Sequence, residues 1–192
     1  MTITNRVFGA AVIVAVAVLC VDVVAAQAPA RGAGARAGGA APAAAVQGNL
    51  LQVMRGILFP NSNVIFAAQT QNPAAVKKDP DPTASTNPLA SLYGGWEAIE
   101  NSGIALAESA SLLTLPRVCS NGKPAPVQNA DWQQFVRELR TAGMAAYKAG
   151  QSKDMDKVVD VSDTVATACM NCHEVYREKT PAQGGNAARC TK

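Results

Sequence analysis

Near the C-terminus the chain reads Cys169-Met170-Asn171-Cys172-His173, two thiols and an imidazole within one short run. On a helix, residues three and four apart share a face. Cys169, Cys172 and His173 therefore leave the same side of one segment. Thiols so spaced match the two vinyl groups of a porphyrin, and the imidazole, one turn on from Cys169, reaches the iron. In an exported chain, a C-x-x-C-H run predicts one covalently attached c-type haem. Cys169 and Cys172 are then thioether anchors and His173 the proximal ligand. Competing uses fit less well. A structural zinc site takes four Cys or His ligands, but His173 is the sole histidine and no second C-x-x-C exists. A thioredoxin-like redox pair needs a βαβ setting, and nothing around residues 150–180 alternates like a strand.

Export is read at the other end of the chain. Arg6 precedes an apolar run from Val7 to Val24, broken by Gly9, Cys20 and Asp22 and followed by Ala25-Ala26-Gln27. A basic start, an apolar centre and small residues before a polar one describe a secretory signal peptide, residues 1–26. Asp22 leaves the clean apolar stretch short of a bilayer span, so cleavage after Ala26 is expected rather than a retained anchor. Cys20 follows Leu19, not the small residue a lipid-anchored cysteine requires. Residues 27–45 are nearly all Ala, Gly, Pro and Arg, without periodicity or large side chains, and read as a disordered tether. The expected compartment is the periplasm.

Residues 46–192 have the length of one domain. Setting aside Arg6, Asp22, Arg31 and Arg36 leaves 14 basic against 13 acidic side chains, so charge steers no class of partner. No basic block or aromatic–basic interleaving calls for nucleic acid. Four helices must position the motif. The first spans about Val46 to Thr70, with Val46, Leu50, Met54, Ile57 and Leu58 on its inner stripe and a kink or short break expected at Pro60. Asn61 is the expected restart. The second opens with Asn87 as cap and Pro88 at its first position, then carries Leu89, Leu92, Trp96, Ile99, Gly103, Leu106, Ala110 and Leu113 to Pro116. Gly94-Gly95 inside it suggest a macrocycle or a crossing helix alongside. The third starts at Asp131, with Gln134 completing a capping-box pattern, and stops at Gly150. The fourth runs from Asp154 through Val158, Val161, Val165, Ala168, Cys172 and Val175 to Thr180-Pro181. With no strand signal, the expected fold class is all-α, a four-helix bundle around one haem.

A C-x-x-C-H on the last of four helices, in Ala168-Cys169-Met170-Asn171-Cys172-His173-Glu174-Val175-Tyr176-Arg177, resembles the class II c-type cytochromes, the cytochrome c′ family. Leu51-Gln52-Val53-Met54-Arg55 on the first helix resembles the opposite edge of the family's haem pocket. The resemblance covers residues 46–192 in outline and is specific around the haem segment. It implies a haem between the first and last helices, with His173 proximal and Met54 over the distal face. Pro60, the long loops after the first two helices and a tail with its own cysteine depart from the family pattern. A homo-oligomer through the family's dimer contact stays open.

Two readings stand for Met54. It is either the sixth iron ligand, raising the potential, or a core methionine. Arg177 either pairs with a haem propionate or ends a solvated helix. Tyr176 is expected on the porphyrin edge, and Trp96 and Trp132 in interhelix packing. No Ser-His-Asp, paired-carboxylate or phosphate-loop constellation is present, and no enzyme is predicted. The leading function is electron transfer by a low-spin His/Met haem with periplasmic redox partner proteins. One alternative is a five-coordinate cytochrome c′ that binds nitric oxide or carbon monoxide. The other is a non-catalytic haem subunit of a periplasmic dehydrogenase.

Cysteine arithmetic adds a last expectation. Cys20 leaves with the signal peptide, and Cys169 and Cys172 go to haem. Cys119 and Cys190 remain, and an exported pair without other partners is expected to form a disulfide. Free thiols or intermolecular bridges are the alternatives.

Overall fold

A computed structural model describes residues 46–177 together with Ala182 and Cys190. The expected signal peptide and tether lie outside the described residues. Among those residues the fold is all-α, with four helical rods and no strand beyond the isolated bridge Val118–Pro124.

The first rod is three segments in line: α1 (Leu50–Val53), a π turn (Met54–Leu58) and α2 (Phe59–Ala67). It starts at a capping box, in which the Asn49 side chain accepts from the Gln52 N–H and the Gln52 side chain from the Asn49 N–H. Pro60 does not break it, because the junction residues Val53, Met54, Leu58 and Phe59 all stay right-handed helical. Proline lacks the N–H that would reach Gly56, and its ring crowds that carbonyl. The π turn just before it spreads the strain over one wider turn. Asn61, the expected restart, instead donates its side-chain amide to the Ile57 carbonyl at 2.7 Å, inside the rod.

The second predicted helix is split. Asn87 caps only a 3₁₀ turn, Pro88–Ala90, and α3 (Trp96–Ser109) begins afresh before a closing 3₁₀ turn, Ala110–Thr114. The glycine pair makes the break. The Gly95 N–H turns back to the Leu89 carbonyl at 2.8 Å, with Gly95 at φ +65°. A Cβ on Gly94 would stand 2.3 Å from that same carbonyl oxygen. These glycines thus close a backbone turn rather than clear space for a macrocycle or a crossing helix. Leu92, expected on the inner stripe, lies in this turn and is 42% exposed.

The third rod, α4 (Ala130–Ser152), begins one residue before Asp131 without a side-chain cap. No reciprocal box forms, since Gln134 donates to Glu138 instead. Gly150 does not end the helix. It sits inside it, where a Cβ would come within 2.9 Å of the Glu100 side chain, and the helix closes at Lys153 with φ +52°. The fourth rod, α5 (Met155–Tyr176), is capped by Asp154, which accepts from the N–H groups of Asp156 and Lys157, and it stops at Arg177 before Thr180.

α3 and α4 pack most closely. A Cβ on Gly103 would lie 2.4 Å from the Tyr147 nitrogen, and one on Gly143 2.6 Å from that of Ala107. The two helices run antiparallel with their backbones nearly touching, a contact that glycine alone permits. α2 rests on α3 and on α5, and α4 on α5. Ile65, Ile99, Leu106, Trp132, Val158 and Val165 are buried between them.

Candidate functional site

α5 carries the motif in its last two turns. Val158, Val161, Val165 and Ala168 are buried, and the same stripe continues into Cys169, Cys172 and Val175, which are half-buried and pack on the core. Met170 is 60% exposed, and Asn171 is exposed beside it. Helical spacing therefore does what the motif asks: both thiols lie on the core side of one helix, with His173 half-buried next to them.

Burial sets their protonation. Desolvation raises the Cys169 thiol above its usual range. It pushes Cys172 up to about 12, with help from the negative charges of Cys169, Asp131 and Glu138. His173 is lowered by burial first and by the Arg177 charge second. A lowered imidazole stays neutral at neutral pH and keeps a nitrogen lone pair for a metal.

Two side chains on α4 hold the segment. Tyr176 is buried, donates its hydroxyl hydrogen to Asp131 Oδ1 at 2.8 Å and accepts from Asn129 at 3.3 Å. Its ring meets Trp132 and Phe135 edge-on, with centroids 5.0 and 6.3 Å away. Tyr176 is thus a residue of the α4–α5 interface. Asn171, between the two cysteines, donates to Glu138 Oε2 at 3.1 Å. Arg177 is exposed at the end of α5, its N–H on the His173 carbonyl.

The N-terminal end of the first rod shares this end of the molecule. Trp132 Nε1 donates to the Leu113 carbonyl at 2.9 Å, and the Leu50 N–H to that of Val118 at 2.9 Å. Gln69, past the other end of the rod, donates to Ser162 early in α5. The Trp132 and Leu50 bonds link the start of the first rod, by way of residues 113–118, to the Trp132 and Tyr176 end of α4 and α5. Met54 stands on another rod from the thiols, half-buried and packed on the core like Leu50 and Ile57 of its sequence stripe. The buried residues along the rod are Val53, Leu58, Ser62, Val64 and Ile65. The gap of five between the first two is the extra residue of the π turn. Val53 therefore fills the core, and Met54 is left half-buried at its rim.

Cys119 and Cys190, both buried, are joined as a disulfide with Cα atoms 5.9 Å apart, while Cys169 and Cys172 are free thiols. Next to that bridge, the buried Arg117 donates to the carbonyls of Leu112 at 3.1 Å and Gly48 at 2.6 Å, tying the end of the α3 rod to the start of the first. Two free thiols on one face and a neutral imidazole beside them are a donor set that fits a covalently held haem. Sequence reasoning passed over Asp131 as a partner for Tyr176, and over Glu138 and Arg117. For Arg117 a signal existed, since a cation just past a helix C-terminus suits the carbonyls there. No family model, no curated protein and no solved structure matches the chain.

Proposed function

We propose that the chain is an exported, mono-haem c-type cytochrome that passes single electrons between periplasmic redox proteins. The observation that carries this reading is the sorting of the cysteines: the pair within C-x-x-C-H is left free and turned toward the core, while the other two are joined. The four rods are read as an up-down-up-down bundle, with the haem between the first rod and the end of α5. Cys169 and Cys172 would hold the macrocycle, and His173 and Met54 would ligate its iron. When bound, the haem supplies a one-electron couple whose potential depends on axial ligand, burial and nearby charge.

The chain's own residues supply the rest. Burial keeps His173 neutral. The hydrogen bonds of Tyr176 and Asn171 fix the orientation of the segment from the α4 side. Met54, half-buried at the rim of the core, is the thioether of the first rod read as the second iron ligand. Arg177 offers a guanidinium to a propionate from the helix end. Residues 27–45 would tether the domain, and residues 1–26 would be lost on export.

Denaturation followed by acid–acetone extraction tests the reading. Colour should stay with the polypeptide, and Cys169→Ala with Cys172→Ala should release it. Haem that extracts freely from the unaltered protein would end the proposal.

A further inference from the structure

We propose that Glu138 is a positioning residue for the attachment segment and the fixed charge that holds down its reduction potential. The inference rests on the haem reading above. Glu138 lies on α4, half-buried, facing the last turns of α5. Its two carboxylate oxygens are both engaged: Oε1 accepts from Gln134 at 2.9 Å and Oε2 from Asn171 at 3.1 Å. Both donors are neutral amides. Among the described residues no Lys or Arg pairs with Glu138. Its negative charge is therefore oriented by hydrogen bonds from neutral amides and directed at the residue between the two haem-anchoring cysteines. Asp131, which accepts from the Tyr176 hydroxyl and the Trp132 N–H, adds a second negative charge that acts in the same direction.

A fixed anion beside an iron porphyrin favours the ferric over the ferrous state, since the reduced centre carries one positive charge fewer. Glu138→Gln keeps an acceptor for Asn171 and removes the charge. It should favour the ferrous form roughly three- to tenfold at a given potential, a tenfold change being about 59 mV for one electron. Glu138→Asp keeps the charge but withdraws it from Asn171, and should leave the potential nearer the unaltered value. Glu97→Gln, on the exposed start of α3, is the control and should not move it.

The positioning role is read separately, on the protein as purified, by a double-mutant cycle of Glu138→Ala and Asn171→Ala in chemical unfolding. The two changes should be non-additive by roughly fivefold or more in the unfolding equilibrium constant. Additive effects would overturn the positioning role. An unchanged potential in a folded, haem-loaded Glu138→Gln protein would overturn the charge role. Absence of covalent haem in the unaltered protein would sink the proposed function and the charge role together, leaving the cycle to decide the Asn171 link alone.

Discussion

The Tyr176 hydroxyl donates to Asp131 Oδ1 at 2.8 Å, joining the last turn of α5 to the first turn of α4 across 45 residues of chain. That turn of α5 also contains His173, so the bond governs how firmly the imidazole is presented. Asp131 Oδ1 accepts at the same time from the Trp132 N–H at 3.0 Å, and removing the hydroxyl leaves Asp131 short of one donor. Tyr176→Phe should cost about 1.5 kcal/mol and lower the melting temperature by roughly 5 °C. Circular dichroism melts check it, and an unchanged melting temperature would show that the bond contributes nothing net.

The glycines of the α3–α4 contact predict a contrast. Gly103→Ala drives a methyl into the Tyr147 backbone, only 2.4 Å from its nitrogen. It should destabilise by about 3 kcal/mol or more, because backbone cannot rotate away as a side chain can. Gly56→Ala meets nothing within 4 Å and should be neutral or gain up to about 1 kcal/mol from helix propensity. Urea unfolding of the two variants compares them directly.

Val53 and Met54 should separate stability from ligation. Val53→Ala opens the core and should cost about 2 kcal/mol, with the absorption spectrum unchanged. Met54→Ala should cost less, yet abolish the weak red charge-transfer band of a Met–Fe(III) centre and admit carbon monoxide. A high-spin ferric spectrum in the unaltered protein would instead favour the gas-binding alternative.

The cysteines titrate in a testable direction. In haem-loaded protein no thiol should alkylate, and non-reducing peptide mapping should return Cys119 linked to Cys190. In haem-free folded chain Cys172, held at about 12 against an ordinary 9.0, should react roughly a thousandfold more slowly at pH 8 than an unperturbed thiol. The sign for stability follows. The unfolded chain loses this proton from about pH 9 while the folded chain keeps it. Haem-free stability should therefore fall as pH rises from about 9 toward 12, and pH-dependent melts would show it.

Chemistry that needs neighbouring residues was legible in the sequence, and chemistry between rods was not. Cys169, Cys172 and His173 share a face because three and four are helical spacings, and Asp154 announces the start of α5 by its own side chain. Asp131 lies 45 residues from Tyr176 and Glu138 33 from Asn171, and no local pattern reports such a separation. Glycine misled for a related reason. At Gly94, Gly103 and Gly150 its use is set by what backbone or side chain lies across from it, and among the described residues only Gly95 and Gly122 are glycines at positive φ. The π turn over Met54–Leu58, which sets five residues between the buried Val53 and Leu58, is an irregularity that Pro60 hints at without specifying.

The order of the four cysteines also constrains how such a protein is made. Cys169 and Cys172 lie inside the 71-residue span closed by Cys119 and Cys190, and if the chain is exported as proposed and Cys20 leaves with its signal peptide, these four thiols can pair in three ways. If the thioether bonds of the proposed function form first, two thiols leave the competition and a single pairing remains. If α5 docks first, burial leaves Cys172 protonated and a poor nucleophile. Biogenesis would then run from haem attachment to helix docking to disulfide closure. A failure at the first step would appear as a ladder of scrambled disulfides on a non-reducing gel.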